Sequence, residues 1–152
     1  MNEHEKYMRE ALKLAVKAYK IDEVPVGAVI VKDGIIIAKG YNQREKTQSA
    51  LKHAEIIAIE KACKKLKSWR LDGCDLYVTL EPCLMCAGAI LQSRIKNVYY
   101  GANDLKAGVI ESKCSINKID FPHKVNYTSN ILKNDSEKLL KSFFKELRSR
   151  KK

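Results

Sequence analysis

Long uncharged runs are absent from this sequence. The longest stretch without Asp, Glu, Lys or Arg covers residues 82–93, 12 residues, whereas a helix needs about 20 apolar residues to cross a bilayer. An integral membrane protein is not expected. An apolar leader core is missing as well, because residues 1–20 interleave Glu3, Glu5, Lys6, Arg9, Glu10 and Lys13 with their apolar residues, unlike a secretory signal. The expected location is the cytoplasm. Acidic charge is in short supply, with 18 Asp and Glu against 29 Lys and Arg and a net charge of +11. Such an excess points to a polyanionic partner. No internal repeat or low-complexity linker divides the 152 residues, so one domain over residues 1–152 with its own core is expected. Hydrophobic residues at 45% and charged residues at 31% exclude the disordered and fibrous classes. The five cysteines are odd in number and two lie three residues apart, which suits metal or thiol chemistry better than a paired disulfide framework.

Hydrophobic periodicity supplies the elements. Tyr7, Met8, Ala11, Leu12, Ala15, Ala18 and Tyr19 recur at steps of three and four, predicting an amphipathic helix over residues 3–20. Two β-branched runs, residues 26–32 and 35–41, flank Asp33-Gly34, a strong signal for a two-residue hairpin turn. Ile56, Ile59, Cys63 and Leu66 mark a second helix ending near Ser68-Trp69-Arg70. Residues 76–80 then read as a buried strand, 83–93 as a helix and 97–101 as a strand, an order that implies a parallel crossover. Residues 102–134 have no clear period and one firm breaker, Pro122. Helical period resumes over residues 135–147.

Chemistry gathers at His53, Glu55, Cys83 and Cys86. Cysteines at i and i+3 opening a helix put two sulfurs on one face, and zinc takes thiolates together with imidazole. His53 and Glu55 are two residues apart and would diverge on a regular helix. His53 must therefore sit at the very start of its helix, outside helical dihedrals. Three protein ligands leave a fourth tetrahedral position for water, whose pKa zinc lowers toward about 7. Glu55 is then the spare carboxylate beside it, suited to proton transfer, although a carboxylate is also a possible zinc ligand.

His53-Ala54-Glu55 followed by Pro82-Cys83-Leu84-Met85-Cys86 resembles the signature of the zinc-dependent nucleobase and nucleoside deaminases. Within that superfamily, residues 23–29, 68–71, 76–83 and 87–90 are similar to the bacterial tRNA adenosine deaminases. The resemblance runs from about residue 7 to 104 and resumes at Phe143-Phe144-Lys145. It departs from the family pattern at Ala50-Leu51-Lys52 and between Leu105 and Ser115. The resemblance implies a three-layer α/β/α cytidine-deaminase-like fold with a mixed sheet, and conversion of adenosine to inosine at the wobble position of a tRNA anticodon. It also implies one Zn2+ per subunit held by His53, Cys83 and Cys86, and Glu55 as the proton shuttle serving attack of zinc-bound hydroxide and departure of ammonia. Asn42, Ala54, Asp104, Phe143 and Arg148 are its implied substrate contacts, on a tRNA anticodon stem-loop, in a homodimer whose second subunit helps to form the RNA surface.

Other residues have plainer readings. Cys63, Cys74, Cys114, His4 and His123 lack ligand-like companions, and Trp69 reads as a packing anchor beneath a loop, with base stacking as the alternative. Leu139, Leu140, Phe143, Phe144 and Leu147 form an apolar stripe expected to dock on the core. Lys138, Lys141, Lys145, Arg148, Arg150, Lys151 and Lys152 face Glu146 alone over residues 138–152, a basic face that suits phosphate contact in an RNA-directed protein. Two rivals differ in kind. A deaminase of free guanine or a cytosine nucleotide would leave that charge nothing to bind, and a non-catalytic RNA-binding zinc module would need a fourth protein ligand.

Overall fold

Asp33 and Gly34 adopt φ angles of +52° and +77°, the left-handed pair that a tight hairpin turn requires. In the computed structural model, which describes residues 2–150, they join β1 (Gly27–Lys32) to β2 (Ile35–Tyr41) antiparallel. β3 (Cys74–Leu80) pairs antiparallel with β1, while β4 (Asn97–Ala102) runs parallel to β3. A short β5 (Asn126–Thr128) lies parallel to β4, giving the mixed order β2-β1-β3-β4-β5. The expected crossover between β3 and β4 is α4 (Leu84–Gln92).

Strand alternation sends side chains to two separate helix layers. Ala28, Ile30, Leu76, Val78, Val98 and Tyr100 pack with α4 and with α3 (Ala54–Leu66), forming the larger core. Val29, Val31 and Tyr77 point the other way, onto α1 (Glu3–Lys20). α5 (Lys133–Arg150) shares that second layer, where Phe143 meets Tyr19 edge-on at 5.7 Å. The result is the three-layer α/β/α sandwich with a mixed sheet.

α1 matches its predicted span, and Asn2 caps it by accepting the Glu5 N–H. Its buried row is Tyr7, Met8, Ala11, Leu14, Ala15 and Ala18, so Leu14 takes the place expected of Leu12 and Tyr19, which are only partly buried. Close approach decides the rotation: a Cβ on Gly27 would overlap the Ala11 carbonyl and come within 2.6 Å of the Ala15 nitrogen. The helix sits on β1 through its alanines.

The same device seats α3 on β2. A Cβ at Gly40 would overlap the Ala54 carbonyl and reach 2.9 Å from the Ala58 nitrogen. Both are backbone atoms, so Gly40→Ala forces the helix away. The expected cost is about 1–3 kcal/mol for overpacking, read as a melting temperature several degrees lower, at about 2–4 °C per kcal/mol for a chain of this size. Because Ala54 follows His53, zinc affinity should fall with it; an unchanged melt and unchanged affinity would show that the helix rides freely.

Two sequence expectations need correction. Of the C-terminal apolar stripe only Phe143 is buried, and Phe144 remains 40% exposed, because one row of α5 meets α1 and the sheet while the rest of the helix faces outward. Trp69 is 62% exposed, its ring stacked near Arg70 and Arg94 at 5.4 and 5.9 Å, not buried under its loop. Periodicity also gave no sign of the four-residue α2 (Arg44–Thr47) or of the 3-10 turn Ile116–Lys118. Lys151 and Lys152 of the basic tail lie outside the described residues. No helix among the described residues is long and apolar enough to cross a membrane.

Candidate active site

Two helix N-termini meet at one point. His53 is the N-cap of α3 with extended dihedrals (φ −77°, ψ 156°), and Cys83 is the N-cap of α4, also extended (φ −79°, ψ 178°). Leaving the helical region at His53 lets its ring and the Glu55 carboxylate, two residues later, turn toward the same space. Cys86 follows one turn into α4 and is buried. Exposed N–H groups at both helix starts favour negative charge here.

The ligand atoms fit zinc. His53 Nδ1 lies 3.6 Å from the Cys83 sulfur and 3.6 Å from the Cys86 sulfur. Ligands at about 2.05 Å (nitrogen) and about 2.3 Å (sulfur) from a tetrahedral zinc stand about 3.6 Å apart. All three donor atoms lie within 4.8 Å of one another. One imidazole and two sulfurs are a donor set that selects zinc over harder cations.

The protein groups already favour charge separation. A hydrogen bond from Cys86 holds the Cys83 thiol down at about 4 despite burial, with His53 adding to the effect. The same bond and burial push the Cys86 thiol up, and the hydrogen bond to Cys83 raises His53. A coordinated cation would override the Cys86 preference, because a coordinating thiol is deprotonated outright. Burial pushes the Glu55 carboxyl up to about 7, near the working pH of a general acid and base.

A cavity of about 210 Å³ opens on this cluster, bounded by Val24, Asn42, His53, Ala54, Glu55 and Asp104 among others. Asn42 braces as well as lines, since its Nδ2 donates to the Val24 carbonyl at 3.3 Å and its Oδ1 accepts the Arg44 N–H at 3.2 Å. Val24, Leu80, Asp104 and Ala107 also line a second, wider groove of about 650 Å³, whose far wall is Leu140, Lys141, Phe144 and Arg148 from α5. Phe143 is the exception among the expected contacts. It is buried against Tyr19, and its neighbour Phe144 lines the groove instead. A helix turns about 100° per residue, and the motif alone does not tell which of two adjacent phenylalanines faces outward.

Sequence reasoning passed over two buried carboxylates. Glu23 accepts the Glu45 and Lys46 N–H groups at 3.0 and 2.7 Å, capping α2. Glu81 accepts N–H groups from the 103–112 segment, and these bonds outweigh burial to hold its carboxyl below the usual range. A Glu wedged between an apolar strand and Pro82-Cys83 is the one local signal that marks it. Cys63 is half-buried, Cys74 buried and Cys114 exposed, and none joins the zinc cluster. His4 stacks on Tyr99, and His123 bonds the Ile95 carbonyl.

Comparison with known proteins agrees with this geometry. The family model for MafB19-like deaminases matches residues 2–148. The tRNA-specific adenosine deaminase of Bacillus subtilis is 46% identical over 153 aligned residues, covering 100% of this chain and 95% of its own. That of Rickettsia bellii is 50% identical over 144, covering 93% and 99%. A solved structure from a study of A-to-I editing by tRNA:A34 deaminases at the wobble position superposes with a TM-score of 0.87 at 43% identity, covering 89% of this chain and 99% of its own. With two helix N-termini delivering a His/Cys/Cys zinc set, a buried glutamate beside it and full-length relatives at this identity, the chain belongs to the tRNA-specific adenosine deaminases.

Proposed function

We propose that this chain hydrolytically deaminates adenosine to inosine at the wobble position of a tRNA anticodon. The observation that carries the reading is the continuity between the small cavity at Glu55 and the wider groove lined by Lys106, Lys141, Phe144 and Arg148. A free base needs only the cavity. An anticodon loop needs the cavity for one extruded base and a basic, partly apolar channel for the rest of the strand.

Zinc held by His53, Cys83 and Cys86 would supply a Lewis acid with one position open to an activated water. The chain's own residues do the remainder. Glu55, buried at the cavity wall, accepts a proton from the attacking water and passes it to a ring nitrogen of the base, then takes the proton of the new hydroxyl group on the ring carbon and hands it to the amine, so that the carbon–nitrogen bond breaks and ammonia leaves. Asn42, fixed by its two backbone bonds, offers the base edge the amide capacity it has left. Ala54, without side-chain bulk, leaves the cavity floor open.

Incubating the purified protein with total tRNA and reading inosine at the wobble position tests the reading. Release of ammonia from free guanine with no inosine in tRNA would favour the small-molecule rival instead. The groove makes its own prediction. Removing three phosphate contacts with Lys106→Ala, Lys141→Ala and Arg148→Ala should flatten the slope of log affinity against log salt by about 2 to 3, at roughly 0.7 to 0.9 per contact. Arg150 is left out because it pairs with Asp22 at 3.1 Å. A slope identical to that of the parent protein would reduce these charges to a solvated face.

The working unit in this reading is a homodimer, and a tRNA substrate places it in the cytoplasm. Leu51 and Leu84, 59% and 65% exposed, stand beside His53 and Cys83 as apolar surface that a second copy would cover. Sedimentation at the mass of a single chain would overturn this part.

A further inference from the structure

Glu81 takes no part in the proton transfers above, yet its carboxylate is the most heavily engaged group near the cavity. Oε1 accepts from Asn103 Nδ2 at 3.2 Å, from the Asp104 N–H at 3.1 Å and from the Ser112 hydroxyl. Oε2 accepts the N–H groups of Ile110, Glu111 and Ser112 at 3.1, 2.9 and 2.9 Å. A carboxylate offers about four lone-pair sites, so none is left for a substrate. Every donor comes from residues 103–112, in a stretch between β4 and the 3-10 turn that no ladder holds.

That segment wraps the carboxylate closely. A Cβ at Gly108 would lie 2.5 Å from Glu81 Oε1 and 2.7 Å from the Asp104 carbonyl. Its return strand is fastened to the metal-ligand arm, with the Val109 N–H on the Pro82 carbonyl at 3.1 Å and Gly108 bridging to Cys83. Its outer side faces both hollows: Asp104 and Ala107 line the cavity, and Leu105 and Lys106 line the groove. Charge-assisted bonds are stronger than neutral ones, and a fully satisfied buried network holds a single arrangement.

We propose that Glu81 is a positioning residue for the RNA, gathering the 103–112 segment onto the Pro82-Cys83 arm so that the wall between base cavity and groove has one shape before the anticodon arrives. The RNA half of this statement rests on the function proposed above. The segmental half does not. Without the carboxylate the wall keeps only its backbone ties and shifts more readily, and binding must reorder it, a cost that falls on KM and leaves the zinc and Glu55 chemistry in place.

Glu81→Gln tests this, since it keeps the shape but turns an NH2 group toward N–H donors. In the full chain, hydrogen exchange at the amides of Asp104, Ile110, Glu111 and Ser112 should quicken by about tenfold or more. KM for an anticodon stem-loop should rise by about tenfold with kcat lowered less than about threefold, and zinc content should stay at about one per chain. Ser112→Ala, which removes one donor and keeps the carboxylate, should shift exchange and KM the same way by less, and decides the matter if the Glu81 variant fails to fold. Unchanged amide exchange in a folded variant overturns the proposal, as does a loss confined to kcat or a lower melting temperature with KM intact. A parent protein that leaves the stem-loop unmodified overturns the function reading and the RNA half, while the exchange data, taken without RNA, still judge the segment.

Discussion

Glu55→Ala should keep about one zinc per chain and a folded structure while losing about 10² to 10⁴ in deamination rate, the usual worth of a general acid–base group. Placement separates the two roles open to this carboxylate. Glu55 is the second residue of α3, buried at the cavity wall beside but not among the three atoms that converge for the metal. Its carboxyl, raised by burial to about 7, can both take and give a proton near neutrality, and the mechanism asks one group to do both. Glu55→Gln, which fills the same volume without a proton to exchange, should be as slow as the alanine variant. Metal analysis beside a single-turnover assay separates the outcomes. Loss of zinc in either variant would make Glu55 a ligand, and a rate within tenfold of the parent's would remove it from the proton path.

The Cys83→Ala, Cys86→Ala double variant should differ in kind, losing zinc and activity together. Two of the three converging donors disappear, and a lone imidazole cannot hold the ion at protein concentrations. A metal that binds only the folded chain stabilises it by mass action, so the parent's melting temperature should fall when a chelator is added and the double variant's should not respond. Cys86 is fully buried and Cys83 sits at the N-cap of α4. Alanine at both leaves the helix and its packing largely as they are. About one zinc retained per chain would disprove the ligand assignment.

These two residue sets, His53-Ala54-Glu55 and Cys83 with Cys86, are legible in the amino-acid order because metal ligation imposes residue types and short spacings that chance seldom reproduces. The hairpin is legible for a similar reason. Asp33-Gly34 tolerates positive φ at both positions, and few other pairs do. The parallel crossover follows from element order, and the extended dihedrals at His53 follow from the need to converge two side chains only two residues apart.

What the tertiary structure alone decided involves partners distant in the chain. Glu81 finds its donors 22 to 31 residues later, and no local pattern marks the 103–112 segment as something gathered around a charge. Glu23 reaches 22 residues to Glu45, and the C-terminal helix ties back to Asp22 and Tyr19 across more than a hundred positions. Periodicity gave α5 an apolar stripe but could not say how much of it the sheet would cover, so Phe143 and Phe144 exchanged roles. By itself, the amino-acid order determined the His/Cys/Cys set and the carboxylate two residues after its histidine, the longer strands and helices and the excess of positive charge. The cavity, its opening into a basic groove, and the carboxylate that shapes the wall between them arose only when residues far apart in the chain were packed together. Local rules reach about one helical turn or one hairpin, whereas a binding site is a property of surfaces brought together by the core.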